Sequence, residues 1–260
     1  MKIAILYIAT GKYICFWQDF YASCEKYFLA GHDRHYFVFT DSAAVPGERV
    51  EIVPRRCQGF PADSLFRYDI FLEIKERLND YDYLFFFNAN MLFVNPVGEE
   101  FIPGEQDNFL CGVLHPADGI RHLPSCFFFY ERNRDSRAYI PPFQKNYHYF
   151  MGIINGGRCR EFLRMCTILS AAIHDDYDRG IVAKFHDESH MNCYFRRVVP
   201  KILGSEYGVP EGWKTGLKPK IIIRDKVKVN EFFRKQPRGI KGLIHSAIEE
   251  LWWALRWYIR

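Results

Sequence analysis

Two short tracts carry residue types whose spacing could do chemistry. The first is Asn88-Ala89-Asn90, which follows directly on the apolar run Tyr83-Leu84-Phe85-Phe86-Phe87. A run of large apolar residues, bounded upstream by Asn79-Asp80 and Asp82, is the pattern of a strand buried on both faces. In an open α/β sheet the ligand sits outside the carboxyl ends of the strands, so Asn88 and Asn90, facing the same way in an extended chain, are expected to point into that crevice. The alternative is a polar turn closing a core strand. The second tract is His186-Asp187-Glu188-Ser189-His190, whose histidines stand at the i, i+4 spacing of two zinc ligands on a helix. The metalloprotease pattern, however, needs Glu directly after the first His, and here that position is Asp187.

Composition bounds what these tracts can belong to. A chain of 260 residues fits one large domain or two intimately packed lobes, and with 48% hydrophobic and 17% aromatic residues it buries a substantial core. The formal charge of +4 is modest and its basic residues are spread until the tail, which gives nucleic-acid binding little support. Eight cysteines form no CxxC pair and no ladder of even spacings, so reduced and mostly buried thiols are expected. The apolar start, Met1 to Ala9, is too short for a membrane span and lacks a convincing cleavage site, which argues for a first strand and a cytoplasmic protein.

The elements that must position the two tracts follow from periodicity. Ile3–Ile8, His35–Thr40 and Val50–Val53 read as strands, with a helix between the first two carrying Phe16, Phe20, Cys24 and Phe28 on one face and stopping at Gly31. Strand, helix, strand is the signature of a parallel sheet. A helix is expected over Ala62–Leu78, then the strand at Tyr83, then strands over Phe109–Leu114 and Cys126–Tyr130 separated by the polar loop His115–Gly119. Tyr147–Gly157 leads an aromatic approach into a glycine-punctuated strand, where the glycines either admit a ligand or relieve crowding. Cys159–His174 and Gly180–Arg197 read as helices, and Ile221–Ile223 as a strand that closes the sheet.

The tracts His35-Tyr36-Phe37-Val38-Phe39-Thr40-Asp41, Ala44-Val45-Pro46, Leu114-His115-Pro116, Tyr130-Glu131-Arg132, Ala138-Tyr139-Ile140-Pro141, Met151-Gly152 with Gly156-Gly157, and His186 to Asn192 occur in that order. Together they make residues 1–230 resemble glycosyltransferase family 6, the retaining α-1,3-galactosyl- and N-acetylgalactosaminyltransferases that include the histo-blood-group A and B enzymes. The resemblance implies a GT-A-like α/β fold with a mainly parallel central sheet flanked by helices. It also implies transfer from UDP-N-acetylgalactosamine or UDP-galactose to the 3-hydroxyl of a 2-fucosylated β-galactoside, with N-acetylgalactosamine the preferred donor sugar; the tail of residues 231–260 would suit lipid-linked acceptors. Vertebrate relatives carry Asp-x-Asp where this chain has Asn88-Ala89-Asn90, and those carboxylates hold a divalent cation against the donor diphosphate. An amide offers a hard dication only a neutral carbonyl oxygen, so a metal-independent enzyme without a cofactor is expected. The basic tract Lys218, Lys220, Arg224, Lys226, Lys228 is then the candidate to offset the diphosphate charge, with Lys226 and Lys228 binding the donor; a solvated, alternating strand would have the same composition.

By the same resemblance Glu188 is the catalytic residue, either a nucleophile or a stabiliser of an oxocarbenium-like transition state, and it also meets the acceptor. Asp187 and His186 shape the donor pocket. Ala9 and Tyr13 match residues that hold uracil and ribose, Arg67 one that contacts the donor, and Asn88, Ala89, Asn90 and Gly152 complete the donor side. Met151 and Ile153 fall on the two positions that discriminate galactose from N-acetylgalactosamine, and Ile153 is neither residue usual there. His115 matches an acceptor contact, while Phe129 and Phe185 stand in the acceptor site where the family has Thr and Trp. A decayed sugar- or UDP-binding protein of the same fold, or a donor hydrolase, are the alternatives. Residues 231–260 fall outside the resemblance. There Ile240, Leu243, Ile244, Ala247, Ile248, Leu251, Trp252, Leu255, Tyr258 and Ile259 recur at helical spacing among Lys241, Arg256 and Arg260. Such a helix suits peripheral contact with the inner face of a membrane, or packing on the body or a second subunit.

Overall fold

The computed structural model describes residues 1–116, 129–142, 146–214 and 216–234, together with 248–249, 251–253 and 255. At its centre lie β1 (Lys2–Ile8) and β4 (Tyr83–Phe87), parallel neighbours in a seven-stranded sheet. The apolar runs of these strands alternate between two cores because successive side chains point to opposite faces. Ile3, Ile5, Tyr7, Phe85 and Phe87 join Phe16, Trp17, Phe20 and Phe28 on one side, and Ala4, Leu6, Leu84 and Phe86 join Tyr68, Phe71 and Phe162 on the other. Each fully buried Leu or Phe contributes about 1.5–3 kcal/mol, so this two-sided strand pair anchors both layers.

The first layer is α1 (Trp17–Tyr27), which connects β1 to β2 (Asp33–Thr40); β3 (Val50–Pro54) extends the parallel sheet beyond it. The expected loop after β1 coils from Gly11 to Phe16 into a 3-10 turn, so α1 itself starts at Trp17. On the other face the single helix expected over Ala62–Leu78 is three short ones, α2 (Ala62–Leu65), α3 (Arg67–Leu72) and α4 (Lys75–Leu78). Phe66 and Ile74 leave helical geometry between them, at ψ 24° and 20°. The first break lets Arg67 turn inward, where its side chain is buried.

The remaining strands are β5 (Met91–Phe93), β6 (Leu110–Leu114), β7 (Phe150–Arg158), β8 (Lys201–Leu203), β9 (Val209–Pro210) and β10 (Ile221–Ile223). The large sheet runs β3-β2-β1-β4-β7-β6-β8, parallel except where β7 lies antiparallel between β4 and β6. This reversal gathers the carboxyl ends of β1, β4 and β6 and the amino end of β7 at one edge. Ile221–Ile223 does not close this sheet. It pairs with β5 and β9 in a second, three-stranded sheet. Of the strand expected over Cys126–Tyr130, residues 126–128 lie outside the described residues and Phe129 and Tyr130 are not in a strand.

β7 leads directly into α5 (Cys159–Asp178), which is followed by α6 (His186–Phe195). The helix expected over Gly180–Arg197 forms only from His186, because Gly180 at φ 72° terminates α5 in the left-handed conformation and the chain runs non-helical to Phe185. The glycines of β7 answer to crowding. A Cβ on Gly156 would lie 2.5 Å from the Leu84 carbonyl oxygen, and one on Gly157 2.2 Å from that of Phe109. A short helix α7 (Lys226–Val229) follows β10. No disulfide links the seven described cysteines, of which Cys24, Cys111, Cys159 and Cys166 are buried. Among the described residues no helix is long and apolar enough to cross a membrane. The expected helix over 240–260 lies mostly outside them; of its members that are described, Ile248, Leu251, Trp252 and Leu255 are exposed.

Candidate active site

The pairing of β6 with β7 jumps from Gly112↔Asn155 to Val113↔Met151, so Gly152, Ile153 and Ile154 have no partner in β6. Their peptide groups become available for other work. The Gly152 N–H donates to Glu188 Oε2 at 2.6 Å, its carbonyl accepts from Arg67, and the Ile153 carbonyl accepts from the Asn88 N–H at 2.8 Å. Gly152 suits this approach, since a Cβ there would lie 3.0 Å from the Glu188 Cβ and press the glutamate back. The other Glu188 oxygen, Oε1, accepts from the Tyr149 hydroxyl. Burial raises the Glu188 pKa, opposed by the bonds from Tyr149 and Gly152 and by the Arg67 charge.

Asp187, almost fully buried, lies with Oδ2 3.1 Å from Arg67 Nε. Desolvation pushes it up to about 7, with the Arg67 guanidinium opposing and the Glu188 charge adding to the rise. Arg67 also lies 4.4 Å over the Phe86 ring, so one cation faces the buried Asp187 and the half-buried Glu188 across an apolar floor. The His186 and His190 rings do not converge. His186, at φ 50°, sets its ring edge-on to Phe60, whereas His190 Nε2 lies 3.5 Å from Asp176 on α5 and burial lowers its pKa to about 4. The zinc arrangement suggested by their spacing is therefore not formed.

Asn88 and Asn90 sit at the carboxyl end of β4, but the chain turns there and only Asn88 is partly open. Asn88 Nδ2 lies 3.4 Å from Asn90 Oδ1, and Asn90 Nδ2 donates to the Arg224 carbonyl at 2.9 Å while the Arg224 N–H returns a bond to the Asn90 carbonyl. Ala89 is buried, its carbonyl accepting from the Tyr7 hydroxyl at 2.8 Å. Ala9 is likewise buried at the end of β1; its carbonyl accepts from Thr40 Oγ1. The basic tract is not one strand. Lys220 pairs with Glu100, Arg224 with Asp19 and Lys228 with Glu211, and Lys218 is exposed. Lys226 differs: at the start of α7 its Nζ lies 3.1 Å from the Tyr13 hydroxyl and 4.8 Å over that ring. Contacts thus run without a break from Asn88 to Asn90 to Arg224 on one hand, and from Asn88 through Ile153 and Gly152 to Glu188 on the other.

His115, immediately after β6, stands 5.6 Å from the Phe129 ring and 5.8 Å from the Tyr149 ring, and Phe129 lies 5.3 Å from Phe185. The three expected acceptor residues and Tyr149 therefore form one aromatic cluster against Glu188. Met151 is buried and Ile153 half-buried, both facing Gly208, where a Cβ would lie 2.5 Å from Met151 Cε. Tyr149 was not singled out by sequence reasoning. Its signal was only its place in the aromatic run three residues before Gly152.

A mainly parallel α/β sheet that collects a half-buried glutamate, a guanidinium and an aromatic wall at the carboxyl ends of its strands defines a transferase of the GT-A type. The profile of glycosyltransferase family 6 matches residues 1–231, and the chain belongs to that family. It is 33% identical over 229 residues to the O-antigen biosynthesis glycosyltransferase WbnI of Escherichia coli, covering 87% of this chain and 95% of that one. It is 34% identical over 222 residues to the human globoside alpha-1,3-N-acetylgalactosaminyltransferase 1, and 33% identical over 216 residues to the histo-blood group ABO system transferase 2 of Rattus norvegicus. These alignments cover 80% and 79% of this chain but only 60% and 62% of those relatives' own lengths. Family membership implies a nucleotide-sugar donor and a glycan acceptor.

The Glu188 environment gives a direct expectation. Tyr149→Phe removes a hydrogen bond that favours the ionised carboxylate, so Glu188 titrates higher in the variant than in the wild type. Carbon-13 NMR of labelled glutamate side chains measures it, and an unmoved titration contradicts the assigned bond.

Proposed function

We propose that this protein is a retaining α-1,3-glycosyltransferase that moves N-acetylgalactosamine, or galactose, from its UDP-sugar to the 3-hydroxyl of a 2-fucosylated β-galactoside without a metal ion. The observation that carries the reading is the placement of Glu188, whose carboxylate is fixed by Tyr149 and Gly152 between the donor-side strand Met151–Ile153 and the acceptor-side cluster of His115, Phe129 and Phe185. A carboxylate so placed suits the positive charge that develops at the anomeric carbon, whether it attacks or only stabilises. Arg67, held on the Gly152 carbonyl and beside Asp187, opposes the rise in the Glu188 pKa that burial causes and faces the donor.

The leaving diphosphate needs positive charge that appears without a carboxylate-bound ion. Asn88 and Asn90 are occupied with one another and with the Arg224 backbone, and amide oxygens suit a hard dication poorly. Lys226, against Tyr13, is the cation best placed for the phosphates, with Lys228, paired with Glu211, two residues further along α7. Uracil and ribose then lie over Tyr13 at the end of β1. UDP release from UDP-N-acetylgalactosamine with a fucosylated lactose acceptor should be as fast in excess EDTA as with manganese, and Glu188→Gln should lower it by about 10²-fold or more. Activity that depends on manganese would contradict the metal-free reading, and donor turnover without any transfer would favour a hydrolase or a decayed binding protein.

The same reading places the protein at the inner face of a membrane, where it builds on lipid-linked glycans. Its support is the exposed set Ile248, Leu251, Trp252 and Leu255, while Trp253 turns the other way and its carbonyl accepts from Arg132 at 2.7 Å. Phe232, also exposed, lies upstream. The protein should sediment with anionic phosphatidylglycerol vesicles, and the double change Leu251→Ser and Trp252→Ser should leave it in the supernatant; equal sedimentation of both would sink the membrane role.

A further inference from the structure

Resting on the reading of Glu188 above, we infer that Asn192 is a positioning residue for it, acting as a substitute strand that locks Tyr149 and the start of β7 to the helix that carries Glu188. Asn192 stands one helical turn after Glu188 on α6 and is buried. Its Oδ1 accepts from the Phe150 N–H at 2.8 Å and its Nδ2 donates to the Phe150 carbonyl at 2.8 Å. That reciprocal pair of bonds is what a neighbouring strand supplies in a sheet ladder. Phe150 keeps its place opposite Leu114 in β6, whereas the ladder between β7 and β4 ends at Ile154, so on that open side a side-chain amide takes over beyond the point where the backbone ladder stops. Nδ2 also donates to the Glu188 carbonyl at 2.9 Å.

Both groups that hold the Glu188 carboxylate flank the residue Asn192 grips. Tyr149 precedes Phe150 and Gly152 follows it by two, and the two donate to opposite oxygens of Glu188. One amide thereby fixes the register between the carboxylate and its two donors. Only a group with a donor and an acceptor in one rigid plane can do this: Asp has the shape but would set an oxygen against the carbonyls of Phe150 and Glu188. Misplacing a reacting group by about 1 Å costs roughly 10²-fold in rate, which sets the size of the effect.

Asn192→Asp, with Asn192→Ala beside it, tests the assignment against wild type and Glu188→Gln. The expected result is a loss of about 10²-fold in kcat with the donor KM within about threefold, as for an interaction used in the transition state. The acid limb of the kcat–pH profile should move to higher pH, because the bonds that favour the ionised carboxylate are loosened. Amide hydrogen exchange at Gly152 should quicken by tenfold or more while amides of β1 keep their protection. Wild-type kcat, or a loss with an unmoved acid limb and unmoved Gly152 exchange, overturns the proposal, as does failure of both variants to fold, which would make Asn192 a residue of the whole fold. Should Glu188→Gln stay active, or no UDP-sugar turn over, the reading of Glu188 falls by itself, and Gly152 exchange still decides whether Asn192 sets the register.

Discussion

The peptide of Gly152 is the point on which the rest of the site depends. β7 enters the sheet between two strands that run the other way, and Gly152 and Ile153 have a ladder partner in neither of them. A buried peptide without a ladder partner must find one or lose the cost of its desolvation. Here the N–H finds the Glu188 carboxylate and the carbonyl finds Arg67, so a local defect in strand pairing becomes the mount for two charged side chains. The absence of a side chain at 152 suits the close approach of α6. The Asn88 N–H, bonded to the next carbonyl along, ties the turn after β4 into the same defect.

Electrostatically the site is held away from rest. Asp187 and Glu188 are adjacent in sequence, both raised in pKa by burial, and one guanidinium answers both. Placing two carboxylates in low dielectric disfavours their ionised forms, and at Glu188 the directed donors from Tyr149 and Gly152 oppose that rise. Such donors cost no reorganisation when charge develops at a bound sugar. Away from the site the energetics are ordinary: two apolar layers clamp the central strands, and the aromatic residues that make up so much of the chain fill them.

Much of this was legible in the residues. The uninterrupted run Tyr83–Phe87 marked the central strand because a strand buried on both faces needs no polar alternation, and the strand, helix, strand order of the first elements marked the parallel sheet. Glu188, Asp187, Arg67 and the His115, Phe129, Phe185 group were named from tract order and do meet at one edge. What was not legible depended on contacts between distant segments. The breaks at Phe66 and Ile74 that turn Arg67 inward leave no Gly or Pro to read. The basic tract looked continuous, yet ion pairs with Asp19, Glu100 and Glu211 divide it and leave Lys226 against Tyr13. The β6–β7 jump is written in no local pattern, so neither the work of Gly152 nor that of Tyr149 could be seen before the strands were paired.

The most direct test of the account is a crystal structure of the Glu188→Gln protein with intact UDP-N-acetylgalactosamine, grown with manganese in the drop. The account predicts the anomeric carbon beside the side chain at 188, uracil on the Tyr13 side, the diphosphate contacted by Lys226, and no ion between the phosphates and Asn88-Ala89-Asn90. A manganese ion bridging those amides to the diphosphate, or a sugar seated away from position 188, would contradict it.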